Sequence, residues 1–180
     1  MLRKISGVLL CFSLFLSWGY AGIPELVENH ELIEYAVMQL PPKGTLEQTE
    51  KGFVYLNVSD DYILQLYPFL LGNESALEIP PYFTKDGIGA HITVVPSSEF
   101  IEKGIYLLEE EIGRELRFTT TGIYSVKPDG WASVKHIWYL SVYCPELENF
   151  RQSKGLSPKV NDHDFHITIA IEHAKHILNN

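Results

Sequence analysis

Cysteine is scarce in this chain, and the two that exist are not expected to pair. The 180-residue sequence contains only Cys11 and Cys144, and Cys11 lies inside an apolar N-terminal segment. Once that segment is removed, Cys144 has no partner for an intramolecular disulfide. Stability must then come from packing, which the 46% apolar and 12% aromatic content favours.

Basic charge is also in short supply. Fourteen Lys and Arg stand against 23 Asp and Glu, giving a net charge of −9, and loss of Arg3 and Lys4 with the N-terminal segment takes this to −11. Affinity for long nucleic acid accumulates from many Lys and Arg contacts to phosphates. A long nucleic acid is therefore not expected as a partner, whereas a small nucleotide-like phosphodiester remains compatible with a local cleft.

Beyond the N-terminus, the sequence has no apolar run long enough to span a membrane. The N-terminus itself combines early basic residues, the apolar stretch Ile5–Trp18 and small residues ending at Ala21. This pattern predicts a signal peptide at 1–21, cleaved before Gly22, and a secreted or periplasmic protein. The apolar stretch is shorter than a spanning helix, so no stable membrane anchor is expected.

The remaining residues, 22–180, are predicted to form one domain, and the protein is expected to be a monomer. Helices are expected at Glu25–Gln39, Tyr62–Leu71, directly after Pro96, within Ile105–Gly113 and at Pro145–Lys154. Strands are expected at Gly52–Val58, around the motif that begins at His91, and at Leu116–Val126, Val134–Tyr143 and Phe165–Ile171. This mixed order does not fit a doubly wound parallel sheet, and it predicts an α+β fold. We expect a bilobal single domain in which two antiparallel β-sheets with flanking helices surround a central cleft, related by a pseudo-twofold axis.

A four-residue sequence occurs twice, as HITV at His91–Val94 and as HITI at His166–Ile169. Alternate residues of a strand point to one face, so each copy presents an imidazole and a hydroxyl about 6 to 7 Å apart. Around the second copy the same alternation predicts a single apolar face made of Phe165, Ile167, Ile169 and Ile171. Around the first copy, Val95 interrupts the polar side.

Two such copies facing one cleft could cleave a phosphodiester without a metal. One neutral imidazole can take a proton from water while the other, protonated, donates to the leaving oxygen. Threonine hydroxyls can donate hydrogen bonds to the phosphate oxygens that gain charge. We therefore predict His91 and His166 as the catalytic pair, Thr93 and Thr168 as phosphate-binding residues, and neither a metal nor a cofactor. Which histidine is the base stays open, because a coupled pair permits either assignment.

The H-x-T pattern is short, and chance produces it often. The prediction rests on two nearly identical copies, each in a strand context and far apart in sequence. Two alternatives stay open: a non-catalytic extracytoplasmic binding module for a phosphorylated ligand, and an interaction protein in which the repeat is coincidental.

The paired motif resembles that of the 2H phosphoesterase superfamily, whose members carry two H-x-T/S motifs on strands of a bilobal α+β domain. The resemblance implies metal-independent hydrolysis of a phosphodiester, and it leaves the substrate open among 2′,3′-cyclic phosphates, cyclic ADP-ribose phosphates, 2′,5′-linked oligoadenylates and RNA 3′ ends. Of these, we expect a 2′,3′-cyclic phosphate. The resemblance also implies the acid-base role of His91 and His166 and the phosphate contacts of Thr93 and Thr168. Many members with RNA-related activity have Pro before the second histidine and Arg soon after the motif, where this chain has Phe165 and Ala170–Ile171. That difference favours a small ester over RNA.

Further candidate residues carry a weaker signal. His163 with His166, and His173 with His176, show H-x-x-H spacing, but neither pair has the ligand set of a zinc site, so surface or capping roles are expected. Aromatic residues could stack on a base and two lysines could meet a phosphate: Tyr82, Phe83, Tyr124, Trp131, Tyr139, Lys127 and Lys135. Glycosylation sequons begin at Asn57 and Asn73.

Overall fold

A computed structural model describes residues 22–72, 76–129 and 131–174, so the predicted signal peptide at 1–21 lies outside the described residues. The strands are β1 (Glu25–Leu26), β2 (Lys43–Gln48), β3 (Val54–Val58), β4 (Leu77–Glu78), β5 (His91–Val95), β6 (Glu115–Arg117), β7 (Thr119–Val126), β8 (Val134–Tyr143) and β9 (Phe165–His173). The helices are α1 (His30–Gln39), α2 (Asp61–Leu64), α3 (Tyr67–Leu71), α4 (Ser97–Glu102) and α5 (Pro145–Ser153), with a 3-10 turn at Glu109–Glu111.

Two antiparallel sheets organise the molecule. The five-stranded sheet has the order β1-β7-β8-β9-β4, and the four-stranded sheet has the order β5-β3-β2-β6. One copy of the repeated motif lies on β5, at the edge of the smaller sheet, and the other lies on β9, inside the larger sheet. The predicted α+β fold with two antiparallel sheets and one motif strand in each is confirmed.

Both sheets contribute to one hydrophobic core. Leu56 and Ile92 from the four-stranded sheet belong to the same buried cluster as Leu140 and Ile167 from the five-stranded sheet, together with Leu32 of α1. Because burial of each large apolar side chain contributes about 1.5 to 3 kcal/mol, this shared core holds the two sheets together. The two lobes therefore form a single domain.

The first helix is shorter than predicted. Glu25–Leu26 pairs with β7 as strand β1, and the helix begins only at His30. The cause is Asn29, whose side-chain oxygen accepts a hydrogen bond from the Leu32 amide at 3.0 Å and so caps the helix. The prediction of a helix start near Pro24 was wrong, because this stronger N-cap lies further along the chain.

The second predicted helix, Tyr62–Leu71, is two short helices. Pro68 stands at the start of α3, where its missing amide leaves no unpaired donor. Inside one continuous helix, the same ring would have removed a hydrogen bond and clashed with the preceding turn. The chain therefore bends between Leu64 and Tyr67.

The predicted strand Leu116–Val126 is also divided. Residues Glu115–Arg117 form β6 in the smaller sheet, Thr119–Val126 form β7 in the larger one, and Phe118 crosses between them. Strand β2 was not predicted, because its sequence KGTLEQ contains few residues that favour strands. It lies between β3 and β6, so its pairing partners decide its structure.

Arg151, on α5, links the segments that carry the two motif strands through hydrogen bonds. Its side chain is fully buried, and all five guanidinium hydrogens have acceptors at 2.6 to 3.2 Å. The acceptors are the carboxylate of Glu99 on α4 and the carbonyls of Val94, Ser157 and Lys159. One residue thus links the end of β5 to the segment that leads into β9.

Within the described ranges, no helix has the length and apolar character needed to cross a membrane.

Candidate active site

The two motif strands pack against each other although they belong to different sheets. His91 is buried and Thr93 partly buried on β5, while His166 is partly buried and Thr168 buried on β9. The two imidazoles are close enough for charge on His166 to lower the pKa of His91. The structure thus brings the two predicted histidines together, each with its threonine two residues further along the same strand.

Both imidazoles are held in the same way. Nδ1 of His91 donates to the carbonyl of Gly89 at 3.0 Å, and Nδ1 of His166 donates to the carbonyl of Asp164 at 3.0 Å. A carbonyl oxygen can only accept, so Nδ1 carries the hydrogen in each ring and Nε2 has the lone pair of the neutral form. Nε2 is therefore the basic nitrogen of each ring.

A tyrosine lies opposite each threonine on the neighbouring strand. Tyr55 of β3 pairs with Thr93, and Tyr139 of β8 pairs with Thr168. Their rings lie beside the motif histidines, with centroid distances of 5.8 Å from Tyr55 to His91 and 5.0 Å from Tyr139 to His166. From the sequence, Tyr139 was only one of several stacking candidates and Tyr55 was not a candidate, because strand pairing is not visible in the sequence.

The residue after each threonine is an insertion in its strand. Pairing shifts by one residue at Val94, between Thr93 and Val95, and again at Ile169, between Thr168 and Ala170. After such a β-bulge, the following side chains point to the face opposite to the one that regular alternation would give them. The fourth position of the repeated tetrapeptide is thus the bulged residue in both copies.

The bulges correct two predictions about side-chain faces. Val95 does not interrupt the polar side of β5, since it pairs with Val54 and is buried in the main core. Ile171 does not continue the face of Ile167, since it pairs with Ile137 and packs in a second, smaller cluster. A regular alternation was assumed for both strands, and one extra residue in each makes that assumption wrong.

Aromatic rings surround the His91 imidazole from several elements. The ring centroid of Phe53 lies 5.7 Å from that of His91, and the ring of Tyr82 lies 4.7 Å from it. The hydroxyl of Tyr55 donates to Glu47 at 2.8 Å, and burial, this hydrogen bond and the nearby carboxylate raise the pKa of Tyr55 to about 12. His91 is consequently only 6% exposed.

Burial dominates the proton affinity of both histidines. It lowers the pKa of His91 to about 4, against the opposing effect of the hydrogen bond to Gly89 and with a smaller contribution from His166. Burial likewise lowers the pKa of His166, while its hydrogen bond to Asp164 acts in the other direction. In the ligand-free protein, the His91 imidazole is therefore neutral near pH 7.

Two histidines outside the repeated motif have contacts away from the His91–His166 pair. His163 forms an isolated bridge with Val160, and His173 hydrogen-bonds through Nδ1 to the Ser133 carbonyl at 3.1 Å. His176 lies outside the described residues. Within 22–72, 76–129 and 131–174, no group of three or more His, Cys, Asp and Glu side chains is placed to hold a metal ion.

Of the remaining residues that the sequence suggested for ligand contacts, some lie near the motif histidines and others lie elsewhere. Tyr124 stacks on Tyr139 at 5.8 Å, and Trp131 packs against the same smaller cluster. Lys135 is paired with Glu172 at 2.8 Å. In the first sequon, Nδ2 of Asn57 donates a hydrogen bond to the Glu47 carboxylate at 2.8 Å. Asn73, of the second sequon, lies outside the described residues.

A cavity of about 530 Å³ is lined by residues that neighbour the first motif, although none of His91, Thr93, His166 and Thr168 lines it. Its lining includes Asn57, which pairs with His91 across β3 and β5, and Gly89, whose carbonyl holds the His91 ring. Phe83 and Lys85 also line it. The volume lies within the range of small-ligand pockets, about 300 to 1,000 Å³.

A family model described as "Swiss Army Knife, 2H phosphoesterase domain" matches residues 54–176, about two thirds of the chain. That range contains both copies of the motif. No curated protein and no solved structure matches the chain.

Proposed function

Because the chain belongs to the 2H phosphoesterase superfamily and carries a phosphodiesterase-type domain, we propose that it hydrolyses a small nucleotide-like phosphodiester, with a 2′,3′-cyclic phosphate as the preferred substrate. His91 and His166 exchange the protons, and Thr93 and Thr168 bind the phosphate. The reaction needs no metal, and the enzyme acts outside the cytoplasm as a monomer.

The observation that carries this proposal is the matched orientation of the two imidazoles. Each Nδ1 is bound to the carbonyl two residues earlier, at 3.0 Å, so each ring offers Nε2 for proton exchange. A general base and a general acid need such fixed geometry, and each typically contributes about 100- to 10,000-fold to the rate. A site that only binds phosphate needs donors, and it has no use for two nitrogens held as proton acceptors.

The proton balance follows from the chemistry of hydrolysis. The water oxygen attacks phosphorus, one imidazole accepts the water proton at Nε2, and the bond to one ribose oxygen breaks. The second imidazole, protonated at Nε2, donates its proton to that leaving oxygen. The product is a 2′- or 3′-phosphomonoester, and proton exchange with solvent restores the pair.

The acid acquires its proton when the substrate binds. Burial lowers the pKa of both imidazoles in the ligand-free protein. A phosphodiester brings one negative charge next to them, which favours the protonated imidazole and raises its pKa. Substrate binding at pH 7 should therefore be accompanied by proton uptake.

Size and charge support a small substrate. The cavity lined by Gly89, two residues before His91, has about 530 Å³, which suits a nucleoside-sized group. The net charge of −9 disfavours a partner that carries many phosphates.

The test is hydrolysis of 2′,3′-cyclic nucleotides by the purified chain in the presence of EDTA. We expect turnover by the wild type and a fall in kcat/KM of about 100- to 10,000-fold in His91→Ala and in His166→Ala. The double variant should be little worse than either single one, because the two groups act as a unit.

His30→Ala is the matched control, since it removes an exposed imidazole at the start of α1. It should retain wild-type activity. Full activity in either motif variant, or activity that returns only when a divalent metal is added, would contradict the proposed mechanism.

A second candidate is a binding module that captures a phosphorylated ligand without cleaving it. The lowered pKa of both histidines favours it, because neutral imidazoles supply no acid. Calorimetric binding of a 2′,3′-cyclic nucleotide, with no product after prolonged incubation at the same concentrations, would support this candidate over the enzyme.

A further inference from the structure

Tyr82 lies in the segment that joins β4 to β5, and the backbone around it is closely packed. The Phe83 amide donates to the Pro80 carbonyl at 2.9 Å, and the Gly87 amide donates to the Thr84 carbonyl at 3.0 Å. A Cβ atom on Gly87 would lie 1.9 Å from the carbonyl oxygen of Tyr82, so only glycine fits there. Contacts within the segment thus fix the position of Tyr82.

The Tyr82 side chain contacts both copies of the motif. Its ring meets the His91 imidazole at a centroid distance of 4.7 Å and an interplanar angle of 64°. Its hydroxyl lies close enough to the Thr168 side chain for that side chain to lower the pKa of Tyr82. Burial raises the pKa of Tyr82, although the nearby Thr168 side chain opposes this, so the phenol stays protonated. Tyr82 therefore connects a residue of β5 with a residue of β9.

The Tyr82 and Thr168 hydroxyls are near enough to form a hydrogen bond with each other. Each hydroxyl carries one hydrogen and can also accept. If the Tyr82 hydroxyl donates to Thr168, the Thr168 hydroxyl donates its own hydrogen to another acceptor. If Thr168 donates to Tyr82, the Tyr82 hydroxyl donates its hydrogen to another acceptor. Either arrangement leaves one donor, in a fixed direction, beside the second motif.

We propose that Tyr82 is a positioning residue that couples the two motifs: its ring shields the His91 imidazole from water, and its hydroxyl orients the Thr168 hydroxyl toward the phosphate. The second half of this statement rests on the proposed phosphodiesterase function. The first half concerns the ligand-free protein and stands independently of it.

The shielding can be measured because burial is the main cause of the low pKa of His91. The titratable groups facing the imidazole are Tyr55 from β3, His166 from β9 and Tyr82 itself. Both tyrosines are neutral near pH 7, since their pKa values are raised. Removing the Tyr82 ring should therefore act mainly by admitting water to His91.

Three variants separate the ring from the hydroxyl. Tyr82→Phe keeps the ring and removes the hydroxyl, whereas Tyr82→Leu removes both. Tyr62→Phe is the matched control, because the Tyr62 hydroxyl is bonded to the Pro41 carbonyl at 3.1 Å. Circular dichroism and the melting temperature show whether each variant is folded.

We expect NMR titration of the histidine ring protons to give the same His91 pKa in the wild type, Tyr82→Phe and Tyr62→Phe. In Tyr82→Leu, that pKa should rise by at least about one unit toward 6.5, the ordinary value for histidine. With a 2′,3′-cyclic nucleotide, Tyr82→Phe should lower kcat about tenfold and change KM little, because a transition-state donor loses its orientation. The control should match the wild type.

An unchanged His91 pKa in folded Tyr82→Leu would overturn the shielding role. Wild-type kcat in Tyr82→Phe would overturn the orienting role. Inactivity of the wild-type protein on every cyclic nucleotide would instead count against the proposed function and against the orienting role that rests on it, and the titration would still decide the shielding role.

Discussion

Single residues of the site are tuned by burial more than by charge. His91 lies among the rings of Phe53, Tyr55 and Tyr82, and its pKa falls to about 4 because the protonated form loses hydration there. The hydrogen bond to Gly89 opposes this effect without overcoming it. The same surroundings that keep the imidazole neutral thus make its protonation costly to the fold.

This cost predicts how stability depends on pH. The unfolded chain binds a proton at His91 near pH 6.5, whereas the folded chain does so only near pH 4. The free energy of unfolding should therefore be highest above pH 6.5 and should decrease as the pH falls from 6.5 to 4, by about 2 to 3 kcal/mol from this residue. Urea unfolding of the wild type and of His91→Gln at pH 7.5 and 4.5 measures the effect.

In His91→Gln, the difference in unfolding free energy between the two pH values should be smaller by that amount. His30→Gln, at an exposed position, provides the control. An equal pH dependence in all three proteins would show that His91 does not titrate in this range.

At the scale of elements, Arg151 sets the relative position of the segments that carry the motifs. It joins α5 to Val94 at the end of β5, to Glu99 of α4 and to the segment before β9. A buried guanidinium with every hydrogen bonded is costly to disrupt, because removing it leaves its acceptors unpaired.

Arg151→Ala is expected to lower the free energy of unfolding by about 3 to 5 kcal/mol. Arg117→Ala, which removes an exposed arginine from β6, should change it by less than about 0.5 kcal/mol. Denaturant unfolding at pH 7 compares the two variants. A loss in Arg151→Ala no larger than that of the control would mean that the network contributes nothing.

The sequence predicted those elements whose own residues decide their structure. The strand Val134–Tyr143 and the motif strands could be located because β-branched and aromatic residues alternate or cluster there. Strand β2 could not, since its residues favour no element and its neighbours impose the pairing. For the site, the repeated H-x-T pattern was enough to select the motif residues and to predict that the two histidines lie close together. Tyr55 and Tyr82 reach His91 through strand pairing and a folded loop, and neither relation leaves a local sequence pattern.

At the scale of the whole molecule, the acidic charge governs how the site meets its substrate. A chain of net charge −9 repels an anionic ester at long range, and this repulsion weakens as salt shortens the Debye length to about 10 Å at 0.1 M. Enzymes that bind nucleic acid show the opposite trend, because they release counterions from the phosphate backbone.

We expect kcat/KM for a 2′,3′-cyclic nucleotide to stay level or rise up to about threefold when NaCl increases from 20 to 200 mM. The value of kcat at saturating substrate is the internal control and should not change, since the bound complex is already formed. A fall of tenfold or more in kcat/KM over this range would indicate multiple contacts to phosphates and would contradict the preference for a small ester.

The two β-bulges also determine where the polar face of each motif strand ends. Each motif strand shows one imidazole and one hydroxyl on the same face, and then the extra residue, Val94 or Ile169, reverses the alternation. Beyond Thr168, the side chain that occupies this face is Ile171, buried against Ile137. On this face of β9, the polar side chains thus end at Thr168. A phosphate placed further along the strand would meet hydrocarbon there, so the pairing register limits how far the polar face extends.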